Sequence, residues 1–307
     1  MKISCFDAHC DTLWRCWDTG EELRRNGGQL DLERGKALER YAQFFAMYHD
    51  AKYAPPDGMW AQLQRLHEIF LHQTEKNADL ISPCRTGEEV DAAIEAGKIA
   101  GLLSIEGADL LECDPRKVAE VADWGVRLIN PVWNRANVLS GTNVEEPERG
   151  FSQQGRDFVR AMEERNIFAD VSHLSDAGFW DLANMTHQPI VASHSNARSV
   201  WNHPRNLTDD MFRVIRDTGG VVGINAYTAF VGEKASMEEL VAHIEHFLSL
   251  DGEKTLCLGG DLDGCEALAG GMQGLQDVPR LYEALQQRGY SQQLLEDIFW
   301  NNLRRLI

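Results

Sequence analysis

Ile99-Ala100-Gly101-Leu102-Leu103-Ser104-Ile105-Glu106 is an apolar run of strand length that ends on a carboxylate. It does not alternate polar with apolar residues, as a strand wetted on one face would. It therefore suits a parallel strand covered on both sides. Similar runs recur outward along the chain, at 2–6, 42–48, 126–131, 167–171, 189–193, 220–226 and 255–259, with this one at 99–105. Amphipathic stretches of helix length lie between them, at 60–74, 117–124, 281–288 and 292–303. Thr86-Gly87-Glu88-Glu89 reads as a capping box, and Asp114-Pro115 opens a helix with proline in the tolerated first turn. Ser175, Thr208 and Ser236 each stand where an N-cap is expected. Eight strands alternating with helices, without a Gly/Ser-rich linker, predict an α/β protein in which residues 1–307 form a single (β/α)8 TIM barrel. Two separate α/β domains are the alternative.

The bulk properties narrow the function. With 30 Lys plus Arg against 48 Asp plus Glu, the net charge of −18 excludes the basic face that a nucleic-acid partner requires. The 43% hydrophobic content excludes a disordered chain, yet no apolar run is long enough for a membrane span. The start, Met1-Lys2-Ile3-Ser4-Cys5-Phe6-Asp7, meets an acid almost at once and does not read as a secretory signal. Seven cysteines without CxxC spacing read as free thiols, so a cytoplasmic protein is expected.

The polar residues gather just after the strands. Asp7-Ala8-His9-Cys10-Asp11 follows the first, Glu106 the third, Ser172-His173 the fifth, His194-Ser195-Asn196 the sixth and Gly260-Asp261-Leu262-Asp263 the eighth. In a barrel these are the C-terminal strand ends, which converge at one mouth. His9 and Asp11 are two apart, so both can face the interior while Cys10 faces the other way as core. Each signal alone is weak: HxD is common by chance, Glu106 suits a solvated loop, and a lone histidine usually has a structural partner. Together, three imidazoles and two carboxylates at one end of a barrel suit a binuclear metal centre with Glu106 as its bridge. Zinc accepts that mixture of nitrogen and oxygen donors, and two such ions would activate a water. Asp7 reads either as support for a metal-bound imidazole or as a hydrogen bonder at the strand end.

Over nearly its whole length the chain resembles the renal (membrane) dipeptidases of the amidohydrolase superfamily of metal-dependent barrels. The resemblance is carried by Phe6-Asp7-Ala8-His9-Cys10-Asp11, Gln43-Phe44-Phe45-Ala46, Ser104-Ile105-Glu106-Gly107, Gly125-Val126-Arg127 and Asp170-Val171-Ser172-His173. It continues through Ser193-His194-Ser195, Pro204-Arg205-Asn206-Leu207, Gly259-Gly260-Asp261-Leu262-Asp263-Gly264 and Asn301-Asn302-Leu303-Arg304. It implies a metal-dependent hydrolase barrel in which His9, Asp11 and Glu106 hold one Zn2+ and Glu106, His173 and His194 hold the other. It also implies that Asp261 takes a proton from the bridging water or hydroxide and passes it to the leaving amine, with Asp263 as its rival, and that Arg205 grips the substrate carboxylate.

One position departs from the pattern. Where the family reads Leu-Thr-Leu-Thr-His-Asn, this chain has Leu128-Ile129-Asn130-Pro131-Val132-Trp133-Asn134, so Trp133 stands where a substrate-contacting histidine is expected. Either Trp133 or Asn130 then donates to the substrate oxygen, or the substrate is no ordinary dipeptide. The expectation is a zinc metallo-exopeptidase acting on dipeptides, including those with a D-residue at the C-terminal position. Alternatives are a related amidohydrolase acting on another acylated amine, cyclic amide or lactone, and a metal-binding protein without catalysis. The only partner expected besides a small-molecule substrate is a second copy of the chain, in a homodimer.

Overall fold

The computed structural model describes residues 2–50, 53 and 55–307. The apolar runs form β1 (Ser4–Cys10), β2 (Arg40–Tyr48), β3 (Ile81–Pro83), β4 (Ile99–Glu106), β5 (Val126–Asn130), β6 (Phe168–Ala169), β7 (Val191–Ala192), β8 (Val221–Ile224) and β9 (Leu256–Leu258). The eight barrel strands pair in parallel in the order β6-β5-β4-β2-β1-β9-β8-β7, and β3 pairs with β4 outside that ring. A parallel bridge between Asp170 and Val191 brings β6 to β7 and completes the circuit. This is the (β/α)8 barrel that the pattern of runs predicts.

Every barrel strand contributes to one inner cluster, which includes Phe6, Phe44, Leu102, Leu128, Phe168, Val191, Val221 and Cys257. Phe6 stacks on Phe44 with ring centres 6.0 Å apart and meets Trp300 at 5.5 Å. Trp300 belongs to a π-helical turn, Asp297–Asn301, which interrupts the helix predicted over 292–303 and packs against β1 and β9. The outer faces of the strands pack in a second, larger cluster with the surrounding helices. Gly223 and Gly259 follow Val221 and Cys257 on the inner face and allow a close approach: a Cβ on either would meet the carbonyl oxygen of Ser193 at 1.9 and 1.8 Å.

Several elements differ from the sequence expectation. The strands predicted at 167–171 and 189–193 shrink to two residues each. Asp170 is the reason. Its Oδ1 accepts from the backbone N–H groups of Ser172 and Ser193, both at 3.0 Å, which diverts those donors from a ladder. Thr86 caps its helix by accepting from the Glu89 N–H at 3.3 Å, but the Glu89 carboxylate takes the N–H of Arg85, so the box is incomplete. The complete capping box is at Ser236 and Glu239. Helices Thr12–Thr19 and Gln153–Glu163 and strand β3 were not predicted. Among the described residues all cysteines are free, and no helix is long and apolar enough to cross a membrane.

Candidate metal centre

The first candidate ligands are aimed by an irregularity in β1. Its register with β2 runs from Asp7 opposite Gln43 to Cys10 opposite Phe45, so β1 carries one extra residue. Such a bulge shifts which side chains face inward beyond it. Phe6 and Ala8 belong to the inner cluster, Cys10 packs in the outer one, and the His9 ring turns into the mouth. Asp11 follows as the N-cap residue of helix Thr12–Thr19 but makes no cap bond. Its carboxylate lies 3.5 Å from His9 Nε2 instead.

Glu106, the last residue of β4, reaches between the histidines. Its Oε1 is 2.8 Å from His173 Nε2 and 3.6 Å from His194 Nε2, while its Oε2 is 3.6 Å from His9 Nε2. Asp261 Oδ1 lies 4.0 Å from His9 Nε2. All six side chains are buried. The ligating atoms of His9, Glu106 and His194, and of His9, Asp11 and Asp261, form two groups, each within 4.8 Å.

The surroundings fix the imidazole tautomers. Ser193 donates its hydroxyl to Asp170, so its oxygen accepts from His194 Nδ1–H at 2.7 Å. His173 Nδ1 likewise faces Asn134 Oδ1 at 3.0 Å. Both Nε2 lone pairs therefore point inward, and those two atoms stand 3.0 Å apart. Neither nitrogen of His9 nor Asp11 Oδ1 has a hydrogen-bond partner, although all are buried. Buried acceptors facing one another without partners are costly unless a cation lies among them, and this donor set fits divalent metal.

Burial, then Arg205, holds His173 well below the usual imidazole range, and burial, then His9, does the same to His194, so both stay neutral. Burial alone would also lower His9, but Glu106 and Asp11 outweigh it and raise that ring. Glu106 is pushed up to about 8 by burial and by Asp11. Burial likewise raises Asp261.

The mouth encloses a cavity of about 270 Å3 that reaches Asp11, Glu106, Trp133, His173, His194, Arg205 and Asp261. Arg205 is 4% exposed and forms no ion pair with a carboxylate among the described residues. Its Nη2 is 3.1 Å from His173 Nε2, and its Nε and Nη1 have no partner. Asp263 also lines the cavity, but its carboxylate accepts from Thr12 Oγ1 at 2.7 Å and from Gln29 N–H at 2.6 Å. Asn130 is buried beside Glu106 in the strand register, its Nδ2 lacks a partner, and it does not line the cavity. Asp7 accepts the backbone N–H groups of His9 and Gly260, both at 2.9 Å, and so serves as a strand-end hydrogen bonder.

A family model for membrane dipeptidases (peptidase family M19) matches residues 1–307. The chain belongs to the membrane dipeptidase family. Among its relatives is an uncharacterized protein in the pqqA 5′ region of Klebsiella pneumoniae, 34% identical over 82% of this chain and 96% of that one. Dipeptidase verJ of Clonostachys rogersoniana is 27% identical over 84% of this chain and 66% of its own length. The crystal structure of a metallo peptidase from Rhodobacter sphaeroides, liganded with a phosphinate mimic of the dipeptide L-Ala-D-Ala, superposes with a TM-score of 0.90. It is 27% identical and covers 100% of this chain and 99% of that one. As a membrane dipeptidase family member the chain is a metallohydrolase of the dipeptidase class. The cavity also contains residues that the sequence reading passed over: Asn134, Tyr48, Trp14, Tyr227 and Phe230. Asn134 adjoins the singled-out Trp133, and Trp14 lies one helical turn beyond Asp11. Spacing from those two positions was the available signal.

Proposed function

We propose that this chain is a binuclear zinc dipeptidase whose catalytic unit is the whole barrel, residues 1–307. In this reading His9, Asp11 and Glu106 hold one ion, and Glu106, His173 and His194 hold the second. The observation that carries it is the convergence of these buried nitrogen and carboxylate atoms at one small cavity, with both His9 nitrogens and Asp11 Oδ1 lacking hydrogen-bond partners. Bound divalent ions would supply Lewis acidity and a nucleophilic water at neutral pH.

The remaining chemistry belongs to the side chains. Arg205 binds the substrate's terminal carboxylate, because a buried guanidinium with two unpaired donors calls for an anion. That demand restricts the substrate to a peptide ending close to the scissile bond. Asp261 moves the proton from the attacking water to the leaving amine. A buried carboxyl raised above its ordinary value is suited to both halves of that transfer. Asp263 is engaged by Thr12 and Gln29, which favours Asp261 for the role. Trp133 lines the cavity and offers a neutral indole N–H toward the carbonyl oxygen, whereas Asn130 sits behind Glu106. A D-residue on the C-terminal side is accepted, in line with the L-Ala-D-Ala mimic bound by the Rhodobacter sphaeroides relative.

Metal analysis of the purified protein, followed by a dipeptide screen that includes D-residues at the second position, tests this reading. It requires about two zinc ions per chain and hydrolysis of free dipeptides but not of their C-terminal amides. A zinc-loaded protein inactive on the entire panel would refute it. Trp133→His, run alongside, should raise kcat on small dipeptides if the indole is the weaker donor.

A further inference from the structure

The strand order places β2 across the barrel mouth from β7. Tyr48, the last residue of β2, therefore stands opposite Arg205, on the loop after β7. Its ring is 4.8 Å from Trp133 and 5.6 Å from Trp14. Trp14 lies 4.7 Å from Trp17 and 4.7 Å from His49, so the rings form a continuous shelf leading away from the metal cavity. Trp14 lines both that cavity and a wider open cleft of about 700 Å3, which Trp17 and His49 also line. Trp17 is 36% exposed. Trp17 is tilted 34° to Trp14, and Tyr48 and His49 meet Trp14 edge-on at 68° and 76°, so the rings line the passage into the cleft with apolar surface for a ligand.

We propose that this shelf recognises the side chain of the residue on the N-terminal side of the scissile amide. The chain accordingly prefers dipeptides with an aromatic or bulky apolar first residue. The inference rests on the dipeptidase reading. With the terminal carboxylate at Arg205, the two residues of an extended dipeptide span roughly 7 Å, and the first side chain comes to the opposite wall. That wall is Tyr48, Trp14 and Trp133. Trp133 extends it as a neutral ring where the family pattern has an ionisable one. An inner cavity of about 270 Å3 leaves little room beyond a small dipeptide, so a large first side chain passes Trp14 into the outer cleft. An acidic first side chain meets Asp11 and Asp263 in the cavity and is disfavoured.

The test is kcat/KM of the zinc-loaded full-length protein on Ala-Ala, Leu-Ala, Phe-Ala, Trp-Ala and Asp-Ala, each with L- and D-alanine in second place. Phe-Ala and Trp-Ala should exceed Ala-Ala by roughly 10- to 100-fold, the range expected for burying one large apolar side chain. The gain should appear mainly in KM. Trp17→Ala should reduce the Phe-Ala to Ala-Ala ratio several-fold. Equal rates across the series, or a ratio untouched by Trp17→Ala, overturns the inference and leaves the dipeptidase reading standing. No hydrolysis of any dipeptide removes both.

Discussion

Asp261 and Asp263 both adopt left-handed backbone, with φ of 59° and 63°, which non-glycine residues rarely do. The two acids in this turn face different partners: Asp261 lies near His9, and Asp263 accepts from Thr12 and Gln29. If Asp261 carries the proton, Asp261→Asn should lower kcat by about 10²- to 10⁴-fold with the zinc content unchanged. Steady-state kinetics paired with metal analysis reads both quantities, and an equal loss in Asp263→Asn alone would reassign the role. Ser193 offers a second test. Its hydroxyl relays between Asp170 and His194 Nδ1, so Ser193→Ala frees that ring and should weaken zinc binding by about 10- to 100-fold in a chelator competition. The candidate ligands were legible in the sequence because each lies at or just beyond the end of an apolar run, His9 and Asp11 with a spacing of two. The Asp170–Ser193 relay was not, because its contacts cross between strands and leave no spacing within one segment.

Elements convert that list into geometry. The bulge in β1 adds one residue, brings the His9 ring round to the mouth, and falls beyond the apolar run 2–6 that marks the strand. The helix after Asp11 escaped prediction for a related reason: its N-cap carboxylate is turned to His9 instead of its own N–H groups. The loop after β9 is equally tight. A Cβ on Gly264 would meet Asp11 Oδ2 at 2.2 Å and Asp261 Oδ1 at 2.3 Å. Gly264→Ala should therefore displace both acids together. The expected result is loss of zinc and of activity with far-UV circular dichroism intact, since the barrel strands do not depend on that contact. Full activity in this variant would mean that the two carboxylates tolerate movement of more than half an ångström. Where pairing keeps its register, as between β2 and β4, sequence and structure agree closely, since burial on both faces writes itself as a largely apolar run.

At the scale of the whole molecule, the candidate metal centre concentrates buried acids within a chain of net charge −18, and that sets how stability depends on pH. Without metal, Glu106 is pushed up to about 8, and Asp261 and His9 are raised as well. Over the interval from 6.5 to about 8 the folded chain thus retains protons that the unfolded chain has released. Stability falls with rising pH under that condition. His173 and His194 act with the opposite sign, because their folded values are lowered, but only below the ordinary imidazole value of 6.5. Above it they are neutral in both states and contribute no slope. In the proposed reading zinc requires Glu106 deprotonated and His9 neutral, so its binding releases protons and strengthens as pH rises. The chelated protein should lose thermal stability from pH 6.5 to 8 while the zinc-loaded protein does not, and the gap in Tm between them should widen. Calorimetry of both forms at three pH values across that interval measures the gap. A gap that stays constant or narrows would place Glu106 outside the metal-binding set.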